Sequence, residues 1–316
     1  MSVPVSAPSP ALPAVLLGLT AGVLFLLPRL ASAAPFLALP LSIAGLFSAA
    51  PLLAVRISGR LVHSGLAVAT AFILVSLIDS PETALSFVVL FGLWALVSGE
   101  VLSRRKSVIA AGIAGFALLA MEALLAGLSE GTAPVEATLR SPQVQASFDQ
   151  WAAQASLEPA EAKAAIERVR SGIVALYPSL SVLSAGVLVT LNAIALGRLV
   201  QRGRPAAFPK SELLTLRWPL ALVVAFVGSG ALLLAPGLEI VAWNGLAVTL
   251  FLFLLQGLSV LCFALTRIFA GEWMRAIFVA ASLLGPWAIL LSLLGLFDQW
   301  FDFRSRFVSA ETPAAP

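Results

Sequence analysis

Among the apolar stretches of this sequence stand a few hydrophilic side chains, and any chemistry falls to them. Glu122, in LLAMEALLAG, sits about six residues inside the outer end of an apolar run, or roughly 9 Å deep at the helical rise. A carboxyl at that depth is costly, so it must face other helices, be protonated or meet a donor. Two readings stand for it: a contact for a substrate or cation reached from the outer face, or a carboxyl satisfied by nearby hydroxyls and backbone. Gln256 lies midway along WNGLAVTLFLFLLQGLSVLCFALTRIF, with Ser259 three residues on and Asn244 at the outer end. Glu122, Asn244 and Gln256 are therefore the candidate substrate contacts. Asn192, Thr190 and Ser259 read either as part of such a site or as packing groups. Intramembrane amides commonly join helices for about 0.6–2 kcal/mol each.

The C-terminal GLFDQWFDFRSRF carries a third constellation. Asp298 and Asp302 are i,i+4, as are Asp302 and Arg306, so a continuous helix aligns acid, acid and base. Trp300, Phe301, Phe303 and Phe307 suit a membrane interface. The stretch reads as an interfacial anchor with a local ion pair, or as a cation or partner site built on Asp298, Trp300, Asp302 and Arg304.

Other chemistries lack their residues. One histidine, His63, and one cysteine, Cys262, make no metal cluster and no disulfide framework. No GxxxxGK[ST] or HExxH occurs, which excludes a Walker ATPase site and the HExxH metalloprotease motif. No catalytic residue, metal or cofactor is expected, and the chain reads as a non-enzyme.

The elements that position these groups are transmembrane helices. Of 316 residues, 60% are hydrophobic and 11% charged, with a mean hydropathy of +1.01. Soluble domains carry about a quarter charged residues, so composition indicates an all-α polytopic bundle in contact with lipid. The net charge of +3 resides in short basic clusters between apolar runs, which mark membrane topology rather than nucleic-acid binding.

Runs long enough for spans occur at 11–27, 36–55, 61–78, 84–102, 108–128, 178–199, 218–234, 243–269 and 276–297. That gives eight to nine spans in one domain, 11–307, between disordered tails 1–10 and 308–316. The first run reads as a retained span. A signal peptide ending near Ala33 is the alternative, but no Lys or Arg precedes the run. Pro40 and Pro51 should kink the second span. Gly18/Gly22, Ala111/Gly115 and Ala281/Gly285 look like close-packing pairs.

Residues 133–176 should form an outer amphipathic hairpin, with Val144, Phe148 and Trp151 on one stripe and Ile166, Val169 and Ile173 on another. Arg56/Arg60, Arg104–Lys106 and Arg198–Lys210 occupy alternate loops. This places the N-terminus in the cytoplasm of an inner-membrane protein. Nine spans then strand Arg304 and Arg306 on the outer side, a conflict in the topology.

PLLAVRISGR, LNAIALGRL, WNGLAVTLFLFLLQGLSVLCF and GLFDQWFDFRSRF together resemble the YybS-like family of bacterial integral membrane proteins of unknown function. That family is distantly similar to the S components of energy-coupling-factor transporters. The resemblance implies capture of a small-molecule ligand and a separate transporter coupling module, and it supplies no catalytic residues. The extra spans and the long outer segment depart from a compact six-helix S component. The alternative is a non-transporting scaffold or envelope-complex subunit that binds a membrane protein partner.

Overall fold

The computed structural model describes residues 11–32, 37–58, 61–105, 107–155, 158–203, 212–269 and 271–309. Among them every element is helical, as lipid demands of a chain that must satisfy its own backbone. The α-helices are α1 (Ala11–Leu26), α2 (Ala38–Gly45), α3 (Ala49–Ser58), α4 (Leu61–Ile78) and α5 (Pro81–Phe87). A π segment, Val88–Leu93, joins α5 to α6 (Trp94–Arg105). Next come α7 (Val108–Glu130), α8 (Ala133–Leu139), α9 (Pro142–Gln154), α10 (Pro159–Gly203) and α11 (Ala221–Leu232). The last four are α12 (Glu239–Ile268), α13 (Glu272–Ser282), α14 (Trp287–Phe301) and α15 (Phe303–Ser309).

Among the described residues six helical stretches are long and apolar enough to cross a bilayer, or seven if the bent pair α13–α14 is one span. The expected eight to nine exceed this for two local reasons. The expected span 218–234 is realised as α11, only 12 residues long. The expected span 276–297 is bent by 101° between α13 and α14. The expected span 108–128 falls within α7, 23 residues long, whose described side chains end at Met121. The tails 1–10 and 310–316, together with Arg60, Lys106 and 204–211, lie outside the described residues.

Residues 1–120 and 184–213 form one compact unit, and 121–183 with 214–316 a second. In the first, α1 lies on α4 through small residues. A Cβ at Gly18 would run into the Ala67 carbonyl, and Ala21, Ala67 and Ala71 are fully buried. Gly115 likewise gives its space to the Trp94 indole, while Ser98 Oγ donates to the Ala111 carbonyl at 2.9 Å. These two glycine pairs do what their spacing implies. Phe25, Phe87 and Phe91 form a ring cluster with centroids 5.1–5.9 Å apart beside the π segment. Arg29 pairs with Asp79, and Arg56 and Arg104 both pair with Glu100.

In the second unit α12 packs on α11 and α14 around Val223, Phe253 and Leu296. Gly257 and Gly295 let α12 and α14 touch backbone to backbone, since a Cβ on either would strike a carbonyl of the other helix. Ala281/Gly285 is not a packing pair. Gly285 has φ +59 and no atom near its absent Cβ, so it makes the turn between α13 and α14.

The outer hairpin also differs from expectation. Its first amphipathic helix is α9, whose Phe148 ring lies under Arg170 at 5.5 Å. Its second does not stop at Tyr177-Pro178 but runs on as α10, 45 residues long with Pro178 inside.

Candidate functional site

Three amides, Asn192 and Gln256 buried and Asn244 half-buried, bond to backbone at a helix break, at a helix start and beside an intrahelical proline. Asn192, fully buried on α10, donates from Nδ2 to the Leu46 carbonyl at 2.7 Å and to its own helix at Leu188, 2.9 Å. Leu46 begins the break between α2 and α3, which falls at 46–48 rather than at Pro40 or Pro51. Thr190 is half-buried on the same helix.

Asn244 on α12 serves Pro178. Proline has no N–H and its ring pushes away the carbonyl one turn earlier, so it distorts the ladder around it. The Asn244 Oδ1 accepts from Ser179 N and its Nδ2 donates to the Ala175 carbonyl, both at 2.8 Å. Ser179 and Ala175 are the two ends of one i→i−4 bond, so a single amide splints a full helical rung. Nδ2 also donates to Ile240 O at 2.8 Å. Both of its donors are thus engaged by backbone, which removes the reason to assign Asn244 to a ligand. Asn244→Leu should cost about 1–3 kcal/mol, since a splinted N–H and carbonyl lose their partner. Thermal unfolding in detergent checks this, and unchanged stability contradicts the splint.

The third amide belongs to a larger cluster. Gln256 is fully buried, about eleven residues or 17 Å along α12 from Gly245, near the middle of the uncharged run. Its Oε1 accepts from Trp218 N at 3.0 Å and Gln299 Nε2 at 3.1 Å, and its Nε2 donates to Asp298 Oδ2 at 3.1 Å. Trp218 precedes α11 in a non-helical lead-in, so Gln256 caps backbone that no helix satisfies. Non-helical backbone at membrane depth is tolerated only where protein buries it. Trp218 Nε1 donates to Leu252 O at 2.7 Å, Gln299 Nε2 to Trp218 O at 2.9 Å, and Arg217 Nη2 to Gln299 O at 2.9 Å.

Asp298, fully buried in the last turn of α14, ties this to Arg304. Its Oδ2 accepts from Arg304 Nη1 at 2.8 Å and its Oδ1 from Phe303 N at 3.1 Å. Arg304 Nη2 reaches the Leu216 carbonyl at 2.9 Å and Ser259 Oγ at 3.0 Å. The pairing depends on Asp302, which is left-handed (φ 41), ends α14 and turns α15 back so that Arg304 enters the cluster. Aspartate holds this conformation more readily than most residues.

The expected stripe of Asp298, Asp302 and Arg306 on one helix is therefore absent. The helix ends at Asp302, and Arg306 instead donates to Phe301 O and stacks on the Phe301 ring. Asp298 and Arg304 are not a surface anchor but an interior ion pair; Trp300, 58% exposed, keeps its outward place.

The cluster thus unites Gln256, Ser259, Asp298 and Arg304, which the sequence divided between two sites. It adds Arg217, Trp218 and Gln299, for which the polar-to-apolar step at RWP was the one available signal. Glu122 lies in α7, but its side chain is outside the described residues.

Residues 22–299 match the family model described as "Predicted membrane protein (DUF2232)". The chain belongs to this family. The YybS-like resemblance is consistent with that membership. The family match takes in Asn192, Asn244, Gln256 and Asp298 and stops short of Arg304. No curated protein and no solved structure matches the chain.

Proposed function

We propose that this membrane protein is transport-related and takes up a small polar molecule at the Gln256–Asp298–Arg304 cluster. One observation carries the reading: the buried Gln256 amide and Asp298 carboxylate, with half-buried Gln299 and Arg304, join where α11 begins and α14 ends, beside the midpoint of the uncharged run of α12. Ionisable groups inside a membrane are costly and commonly mark substrate or ion pathways. Broken helices that bring carbonyls and helix ends to mid-depth are a recurrent way to build transporter sites. The likeness to S components points the same way and implies a separate coupling module in the bilayer.

In this reading the N-terminus is cytoplasmic in an inner membrane, and no catalytic step is assigned. Arg304 contacts the Leu216 carbonyl, in the lead-in that follows the basic stretch 198–210. This supports a cytoplasmic C-terminal segment and relieves the topological conflict over Arg304 and Arg306. Native mass spectrometry of the detergent-solubilised protein is expected to release one small molecule of defined mass. Gln256→Leu should lose that molecule while the protein remains monodisperse. Retention of the same molecule by Gln256→Leu contradicts the site, and its absence from the wild type contradicts capture.

A further inference from the structure

We infer that the oxygens around the Arg304 guanidinium form a binding site for a guanidinium-type organic cation, with Arg304 as its tethered and displaceable occupant. The inference rests on the transport reading and names its substrate class.

Three acceptors from three elements converge on this one group: Asp298 Oδ2 of α14 at 2.8 Å, Ser259 Oγ of α12 at 3.0 Å and the Leu216 carbonyl at 2.9 Å. The carboxylate is fully buried, and among the described residues its ion-pair partner is Arg304. A planar fork of N–H donors fits such an arrangement better than a point charge does. The field favours a cation as well, because Asp298 lies in the last turn of α14, at the negative end of the helix dipole. Unwound carbonyls such as that of Leu216 add to it.

The tether leaves its own mark. Arg304 is two residues beyond left-handed Asp302, on a helix of only seven residues. Its Nε is buried and has no hydrogen-bond partner among the described residues. The guanidinium that the chain supplies thus fills the site without satisfying all its donors, whereas a free guanidinium can turn within the same oxygens. Displacing Arg304 keeps the buried carboxylate neutralised, since one cation replaces another.

The test uses the full chain in detergent, with guanidinium chloride at low millimolar concentration and sodium chloride at equal ionic strength. In Arg304→Ala, guanidinium should raise Tm by several degrees, sodium should not, and the added change Asp298→Asn should abolish the response. In the wild type, guanidinium should raise deuterium uptake across Phe303–Ser309 as Arg304 is displaced. A folded Arg304→Ala protein that responds equally to both salts, or whose response survives Asp298→Asn, overturns the proposal. If Arg304→Ala does not fold, unchanged uptake in the wild type overturns it. Should guanidinium fail while a Gln256-dependent molecule still co-purifies, the cation class falls and the transport reading stands. Should guanidinium bind while nothing co-purifies, the site stands and the transport reading falls.

Discussion

Asp298→Ala should destabilise the protein by about 3–5 kcal/mol, the usual cost of removing one partner from a buried ion pair. The loss comes less from the missing attraction than from what remains. Arg304, its side chain only 12% exposed, keeps its charge inside the bundle without its ion-pair partner. Gln256 Nε2 and the Phe303 N–H lose their acceptor at the same time. Exchanging both charges for apolar groups of similar size, Asp298→Leu with Arg304→Met, should therefore cost less than Asp298→Ala alone. A double-mutant cycle by equilibrium unfolding in mixed micelles measures the coupling. Additive losses would mean that the two side chains do not meet.

Gly257→Leu should leave no folded protein to recover. A Cβ at Gly257 would strike the Leu291 carbonyl, and one at Gly295 the Phe253 carbonyl. Backbone has no rotamer to give, so α12 and α14 must separate, and the Gln256–Asp298 bond with them. Even Gly257→Ala should cost about 1–3 kcal/mol by overpacking. Gly228→Ala is the control. Gly228 lies inside α11 with open space around its absent Cβ, so alanine there should be neutral or stabilise by about 0.5–1 kcal/mol. Recovery of the folded protein with temperature in detergent separates the three variants. A Gly257→Leu protein as stable as Gly228→Ala contradicts the close contact.

How far the sequence carries depends on whether a feature is local. The lipid environment, the helical class and the Gly18/Gly22 contact follow from composition and i,i+4 spacing, and the fold has them. The burial of Gln256 also follows, because an amide inside an apolar run has nowhere else to go. What failed were judgements about helix ends. Pro178 reads as a helix start, yet α10 continues through it, with Asn244, far along the chain, bonding Ser179 N and the Ala175 carbonyl beside it. Ala281/Gly285 reads as a packing pair, yet Gly285 is a left-handed turn.

The C-terminal segment was misread for the same reason. Its i,i+4 pattern assumes one helix, and a single left-handed residue, Asp302, sends Arg304 into the interior. Asp298 and Arg304 are only six residues apart, so what the pattern lacked was the break at Asp302; pairing between distant segments, such as Gln256 with Asp298, lies outside any local window. Asn192 and Leu46, joined at 2.7 Å, stand 146 positions apart.

The central claim is that Asp298 and Arg304 meet inside the lipid-embedded bundle. Solid-state NMR of the wild-type protein in bilayers, with carboxyl carbons and guanidinium nitrogens labelled, tests it most directly. The 2.8 Å contact predicts a strong carbon–nitrogen dipolar coupling, assigned by its loss in Arg304→Lys, on a carboxyl that does not exchange with water. No such coupling, together with an Asp298 carboxylate in free contact with water, would contradict the account.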